Sequence, residues 1–139
     1  AASEAMIQVG VNACTDVTGF GLLGHLRSMV EGSKVGARLS LAQVPVIPGA
    51  WELAKQGIAP GGTHRNLESL DSHVRWHPEI TDTARLLLAD AQTSGGLLIS
   101  LPSERTERLL AELAEGGVGQ ATIIGEIVED SSHGIEVLP

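Results

Sequence analysis

The chain has 139 residues, 42% of them hydrophobic, and a formal net charge of -8: enough for one domain with a real core, and the wrong sign for nucleic acid, which demands a basic stripe that displaces counterions. Aromatic residues are only 2%, so Leu, Ile, Val and Ala must fill the core; the single cysteine, Cys14, excludes an internal disulfide framework and agrees with a reducing cytosol. No apolar run approaches the ~18 residues of a spanning helix, no lysine-rich run invites an acidic membrane, and no signal peptide opens the chain, so a soluble, cytoplasmic protein without membrane or nucleic-acid partners is expected.

Ala2, Ala5, Met6 and Val9 recur at helical spacing and Gly10 ends the run. A helix already under way at Ala1, without an initiator Met, predicts a chain cut from a longer one. Val11 to Cys14 reads as a short strand, after which Asp16 or Thr18 can cap a helix running to about Glu31, buried along Phe20, Leu23, Leu26 and Val30 and closed by Gly32. Val35, Ala37, Leu39 and Leu41 alternate with Gly36, Arg38 and Ser40 as in a half-buried strand. Pro48 suits the first turn of a short helix through Gln56. From Ile58 to Glu79 the pattern weakens, and Pro60-Gly61-Gly62-Thr63 reads as loop. A helix from about Thr81 to Ala89, a loop over Ala91 to Gly96, and a buried strand over Leu97 to Leu101 follow. A helix carrying Leu109, Leu110 and Leu113 is stopped by Gly116-Gly117. Ala121 to Val128 and Ile135 to Leu138 read as strands joined by the Asp130–Gly134 turn. The expected architecture is α/β (α+β): a small mixed sheet packed by helices.

Two segments combine small residues with hydroxyls beside a strand. In the first, Thr15-Asp16-Val17-Thr18-Gly19-Phe20-Gly21, Asp16 offers a hard oxygen of the kind Mg²⁺ takes beside phosphates and water, and the amides that follow suit phosphate oxygens. The commoner role of such residues is a helix cap, and residue chemistry alone favours it here. Gly19, Gly21 and Gly24 spell G-x-G-x-x-G, but a polar run precedes them and Arg38-Leu39-Ser40 stands where the acidic ribose ligand of a dinucleotide fold belongs. The second segment, Gln92-Thr93-Ser94-Gly95-Gly96, preceded by Asp90, can form a backbone anion nest or an ordinary helix-to-strand connection. Arg65 offers a phosphate clamp or a mere loop arginine. His73 and His77 are four apart, but Pro78 pushes His77 out of helical geometry and nothing completes a zinc set. His25 is expected at a surface or interface. Cys14 lacks a cationic neighbour and reads as a small buried hydrophobe rather than a nucleophile.

The run from Ala13 to Leu26, Ala-Cys-Thr-Asp-Val-Thr-Gly-Phe-Gly-Leu-Leu-Gly-His-Leu, closely resembles a hallmark of the selenophosphate synthetases (selenide, water dikinases). So does Gln92 to Leu98. Gly36 to Leu39, Val44 to Val46, Pro60 to Thr63 and Arg65 to Leu67 resemble the same family in the same order. The resemblance implies membership of the aminoimidazole ribonucleotide synthetase superfamily, whose members have two α/β domains and are usually dimers. It further implies that residues 1–139 are the C-terminal domain of an enzyme making selenophosphate, AMP and orthophosphate from ATP, selenide and water. The N-terminal domain, which holds the catalytic Cys or selenocysteine, a Lys and most of the Mg²⁺ and ATP ligands, lies outside this chain.

Of the family's metal-binding aspartates, one matches Asp16, which the resemblance therefore assigns to Mg²⁺. Thr15, Thr18, Gly19 and Gly21, with Thr93, Ser94, Gly95 and Gly96, become candidates for loops facing phosphate or substrate. No catalytic residue is expected here, and the domain alone is expected to be inactive. Its expected partners are its own N-terminal domain, a second copy in a homodimer, ATP and selenide. One position departs from the family's Asp-Pro-Gln-Thr-Ser-Gly-Gly: Ala91 replaces the Pro. The alternatives are another ATP-dependent enzyme of the superfamily or a non-enzymatic ligand-binding or assembly domain.

Overall fold

A computed structural model describes residues 1–139 and turns these periodicities into six helices and six strands. In chain order they are α1 (Ala2–Val9), β1 (Ala13–Asp16), α2 (Gly21–Ser33), β2 (Gly36–Ser40), α3 (Ala50–Lys55), α4 (Gly61–Leu70), β3 (Val74–Trp76), α5 (Asp82–Leu88), β4 (Leu97–Ser100), α6 (Thr106–Glu115), β5 (Gly125–Val128) and β6 (Ile135–Leu138). The strands form two sheets rather than one. β1 and β4 pair antiparallel, and the other four line up β3-β6-β2-β5, with β6 parallel to both β3 and β2 and β5 antiparallel to β2.

Helix α2 joins the sheets because its apolar stripe faces inward. Leu23, Leu26 and Val30 pack with Ala37 and Leu39 of β2, Ile135 and Val137 of β6, Leu70 of α4, Leu88 of α5 and Leu98 of β4. Burying each such side chain stabilises the fold by about 1.5–3 kcal/mol relative to exposure. A smaller core, Ala5 and Val9 of α1 with Leu109 and Leu113 of α6, abuts Ile99 and Leu101 at the β4 end.

Three local expectations need correction. Neither Asp16 nor Thr18 caps α2: the helix starts at Gly21 after Phe20 with no side-chain cap bond. Its other end lies beyond Gly32, at Lys34, whose left-handed φ of 56° terminates the run. The stretch read as loop from Pro60 to Thr63 opens α4: Pro60 stands at the N-cap, where a missing N–H costs no intrahelical bond, and Gly61 and Gly62 fall in the first turn. The last two strands are joined by the Asp130–Gly134 turn as expected, but they do not pair with each other, since β2 lies between them.

On the face of the four-stranded sheet away from the core, charges of alternating sign stand in register. Arg75 of β3 lies 3.6 Å from Glu136 of β6, Arg38 of β2 lies 3.4 Å from Glu136, and Arg38 lies 2.8 Å from Glu126 of β5. Cross-strand neighbours of opposite sign reinforce such pairings and keep that face solvated.

The turn before β6 is tied to the same row. Asp130 Oδ1 accepts from the Ser132 amide at 2.9 Å and hydroxyl at 2.7 Å, and Arg75 reaches its other oxygen at 3.4 Å. The Ser132 bonds first, and Arg75 after them, hold the Asp130 carboxyl down from 3.8 to about 2. A carboxyl depressed on folding contributes stability above its unfolded pKa, and that contribution is lost as pH falls through the folded value. Asp130→Asn is therefore expected to flatten the fall in thermal midpoint between pH 3.8 and about 2; identical acid slopes for the two proteins, measured by circular dichroism, would contradict this.

Candidate functional site

The antiparallel register sets Asp16, the last residue of β1, opposite Leu97, the first of β4. Strand alternation turns Val17 inward, where it is only 5% exposed, and leaves Asp16 exposed. Beyond the strands three backbone bonds continue the pairing: the Val17 amide to the Gly96 carbonyl at 2.9 Å, the Gly95 amide to the Val17 carbonyl at 2.9 Å, and the Gln92 amide to the Thr18 carbonyl at 3.1 Å. The two hydroxyl-glycine segments, far apart in sequence, thus lie side by side with Asp16 at their junction.

Two glycines make this contact possible. A Cβ on Gly95 would run into the Val17 carbonyl and would stand 2.5 Å from Gln92 Oε1. Gly21 has φ of 71°, and a Cβ there would lie 2.7 Å from the Ala89 carbonyl. Gly21 is therefore buried against the end of α5 and packs on protein, which is the close-approach role of glycine.

The other candidates divide. Thr15 is half-buried and its hydroxyl donates to the Asp16 carbonyl at 3.2 Å. Thr18 shares a 3.1 Å hydrogen bond with His25 Nε2, and the His25 ring stands 5.6 Å from that of Phe20. Gly19, Thr93, Ser94 and Gly96 are exposed. The amides of Thr18, Gly19, Phe20, Thr93, Ser94 and Gly96 donate to no backbone carbonyl, so both segments present N–H groups of the kind that receive anions. Phe20 is 65% exposed and Leu97 48% exposed, adding apolar surface beside the carboxylate.

Cys14 shares the strand face of Asp16 and is exposed, not buried as its chemistry predicted. Partial burial, and then the Asp16 charge, push its thiol above the ordinary value, which disfavours the thiolate a nucleophile needs. His73 and His77 lie apart from the site at the two ends of β3, and Arg65 is an exposed residue of α4. No group of three or more His, Cys, Asp or Glu side chains gathers anywhere in the chain. The exposed Asp16 carboxylate has the hard oxygen chemistry that suits one Mg²⁺ ligand, and this chain gathers no further carboxylates beside it.

Sequence reasoning missed the residues that hold the two segments from behind. Asn66 donates to the Gly19 carbonyl at 2.9 Å and to the Ala89 carbonyl at 3.0 Å. Thr63, fully buried, donates to Asp90 Oδ1 at 2.7 Å and accepts from the Ala91 amide at 3.0 Å. That last bond uses an N–H a proline at position 91 would lack. Their three-residue spacing, which puts both on one face of a helix, was the available signal, and it was invisible while this stretch read as loop.

The chain is thus a mixed α/β domain with one exposed carboxylate between two segments of unbonded amides. The chain belongs to the family of the AIR synthase related protein, C-terminal domain, which matches residues 1–138. It is 46% identical over 122 residues to the selenide, water dikinase of Carboxydothermus hydrogenoformans, an alignment covering 88% of this chain and 35% of that protein. The selenide, water dikinase of Pseudomonas aeruginosa is 48% identical over 129 residues, covering 93% and 36%. The chain thus spans about a third of the length of these curated relatives. Among solved structures, hydrogenase maturation protein HypE shares the fold with a TM-score of 0.63 at 24% identity, over 92% of this chain and 32% of that one. A HypE structure in complex with ATP aligns with a TM-score of 0.59 at 22% identity, over 98% and 36%. No helix is long and apolar enough to cross a membrane.

The contact between the segments makes a contrast between neighbouring glycines. Gly95→Ala is expected to destabilise the domain by about 1–3 kcal/mol through overpacking, whereas Gly96→Ala, whose Cβ would meet nothing within 4 Å, should stay within about 0.5 kcal/mol. Equal losses in urea unfolding would show that the segments are not in contact.

Proposed function

We propose that this chain is the C-terminal domain of a two-domain selenide, water dikinase, which converts selenide, ATP and water to selenophosphate, AMP and orthophosphate. Its own contribution is Asp16, a ligand for Mg²⁺ shared with an N-terminal domain that holds the rest of the ATP and metal ligands. The observation that carries this reading is the exposed Asp16 carboxylate at the junction of two segments with unbonded amides, within a stretch whose relatives bear that activity. The exposed Phe20 and Leu97 beside it support coverage of this face by the partner domain.

When bound, Mg²⁺ supplies neutralisation of charge on the phosphates. Asp16 holds its carboxylate outward because Val17 is anchored in the core and both neighbouring strands are paired. The free amides of Thr18, Gly19, Thr93, Ser94 and Gly96 are placed to receive phosphate or substrate oxygens, and Thr15 and Gly21 support the backbone behind them. Work in the cytoplasm as a homodimer belongs to the same reading.

In the full-length enzyme, Asp16→Asn is expected to lower selenide-dependent AMP formation on the order of tenfold to a hundredfold, the usual range for weakening a metal site. Undiminished turnover at limiting Mg²⁺ would overturn the assignment. The 139-residue chain alone is expected to show no dikinase activity and no tight binding of Mg·ATP by calorimetry; tight binding abolished by Asp16→Asn would mean that the metal site is complete within it.

A further inference from the structure

We infer that Thr63 and Asn66 of α4 are positioning residues: they lock the two hydroxyl-glycine segments against each other and thereby fix where Asp16 is presented, an inference that rests on the proposed role of Asp16. The geometry is that of a double clamp. Asn66 spends both hydrogens of its amide on carbonyls from the two sides of the junction, Gly19 after β1 and Ala89 before β4. Both carbonyls lie in non-repetitive backbone, where no regular ladder provides a donor.

Thr63 adds two bonds to the second segment only. It is the one buried polar side chain of the core, at 0% exposure, and its hydroxyl is used both ways, toward the Asp90 carboxylate and from the Ala91 amide. Removing the Thr63 hydroxyl strips the Asp90 carboxylate and the Ala91 amide of a partner, and removing the Asn66 amide strips the carbonyl of buried Ala89; such losses cost more than the bond itself contributes.

Neither residue offers its polar group to solvent-borne phosphate, since each is already committed to backbone or Asp90. Their effect on activity must pass through the backbone of residues 17–21 and 89–96. Outer-shell groups of this kind orient the ligands of a metal without touching it.

The test compares four variants. Asn66→Asp keeps the shape but points lone pairs at two carbonyls; Thr63→Val keeps the shape but lacks the hydroxyl; Thr63→Ser restores the hydroxyl; Asp16→Asn serves as the control. In the 139-residue chain, amide hydrogen exchange at Val17, Gln92 and Gly95 is expected to accelerate on the order of tenfold or more in Asn66→Asp and Thr63→Val. Ala37 and Ile135 in the sheet should keep their protection, and Thr63→Ser should recover most of it at the junction. In the full-length enzyme the same two variants should raise the Mg²⁺ concentration for half-maximal activity on the order of tenfold, with Thr63→Ser again near the parent. Uniform acceleration across junction and sheet would reduce both residues to general stability and sink the inference. A local acceleration with an unchanged Mg²⁺ requirement, while Asp16→Asn alters that requirement, would also sink it. If Asp16→Asn leaves the Mg²⁺ requirement untouched, the proposed function fails instead, and the exchange data alone decide whether the clamp exists.

Discussion

The antiparallel pairing of β1 with β4, prolonged by the Val17–Gly96, Gly95–Val17 and Gln92–Thr18 backbone bonds, is the constraint on which the site depends. It is a long-range contact made almost wholly by main chain, so it needs small residues where the strands end. Gly95 provides the room, and Gly21 lets the start of α2 seat on the end of α5. Asp16 is then held outward by alternation along β1, with Val17 buried as its anchor. A side chain at either glycine would separate the segments and leave the carboxylate on a loose strand end.

The two surfaces of the domain have different chemistry. The outer face of the larger sheet carries a row of paired Arg and Glu side chains, which suits water and limits adhesion. The β1–β4 side carries an unpaired carboxylate, free amides and exposed Phe20 and Leu97. That combination is what the proposed function draws on when it has another domain cover this face. The interior behind it is correspondingly well fastened, with Leu23 and Val30 of α2 at 0% exposure.

Much of this architecture was legible from the amino-acid order. Helices with a clear apolar stripe, α1, α5 and α6, and the alternating strand β2 lie close to where periodicity placed them, and Thr81 caps α5 through the Ala84 amide. The failures have physical causes. Pro60-Gly61-Gly62 disguised α4, because loop-forming residues stand at its N-cap and first turn while the packing of Thr63, Leu67 and Leu70 holds the helix behind them. Sheet order was out of reach: β5 and β6 are neighbours in sequence but flank β2, a pairing decided by tertiary packing. For the site, residue chemistry alone favoured a helix cap for Asp16 over a metal ligand, a cap the structure does not form. The family resemblance supplied the ligand reading, and the uncapped start of α2 leaves the side chain free for it. The clamp by Thr63 and Asn66 was hidden because it joins a helix that read as loop to two segments that only folding brings together.

The most direct measurement is a crystal structure of the full-length enzyme with Mg²⁺ and a non-hydrolysable ATP analogue. The proposed role of this domain requires a metal ion about 2.1 Å from an Asp16 carboxylate oxygen, with the segments after β1 and before β4 facing the phosphates. A fully occupied metal cluster bound only by the other domain, with Asp16 turned to solvent, would contradict it.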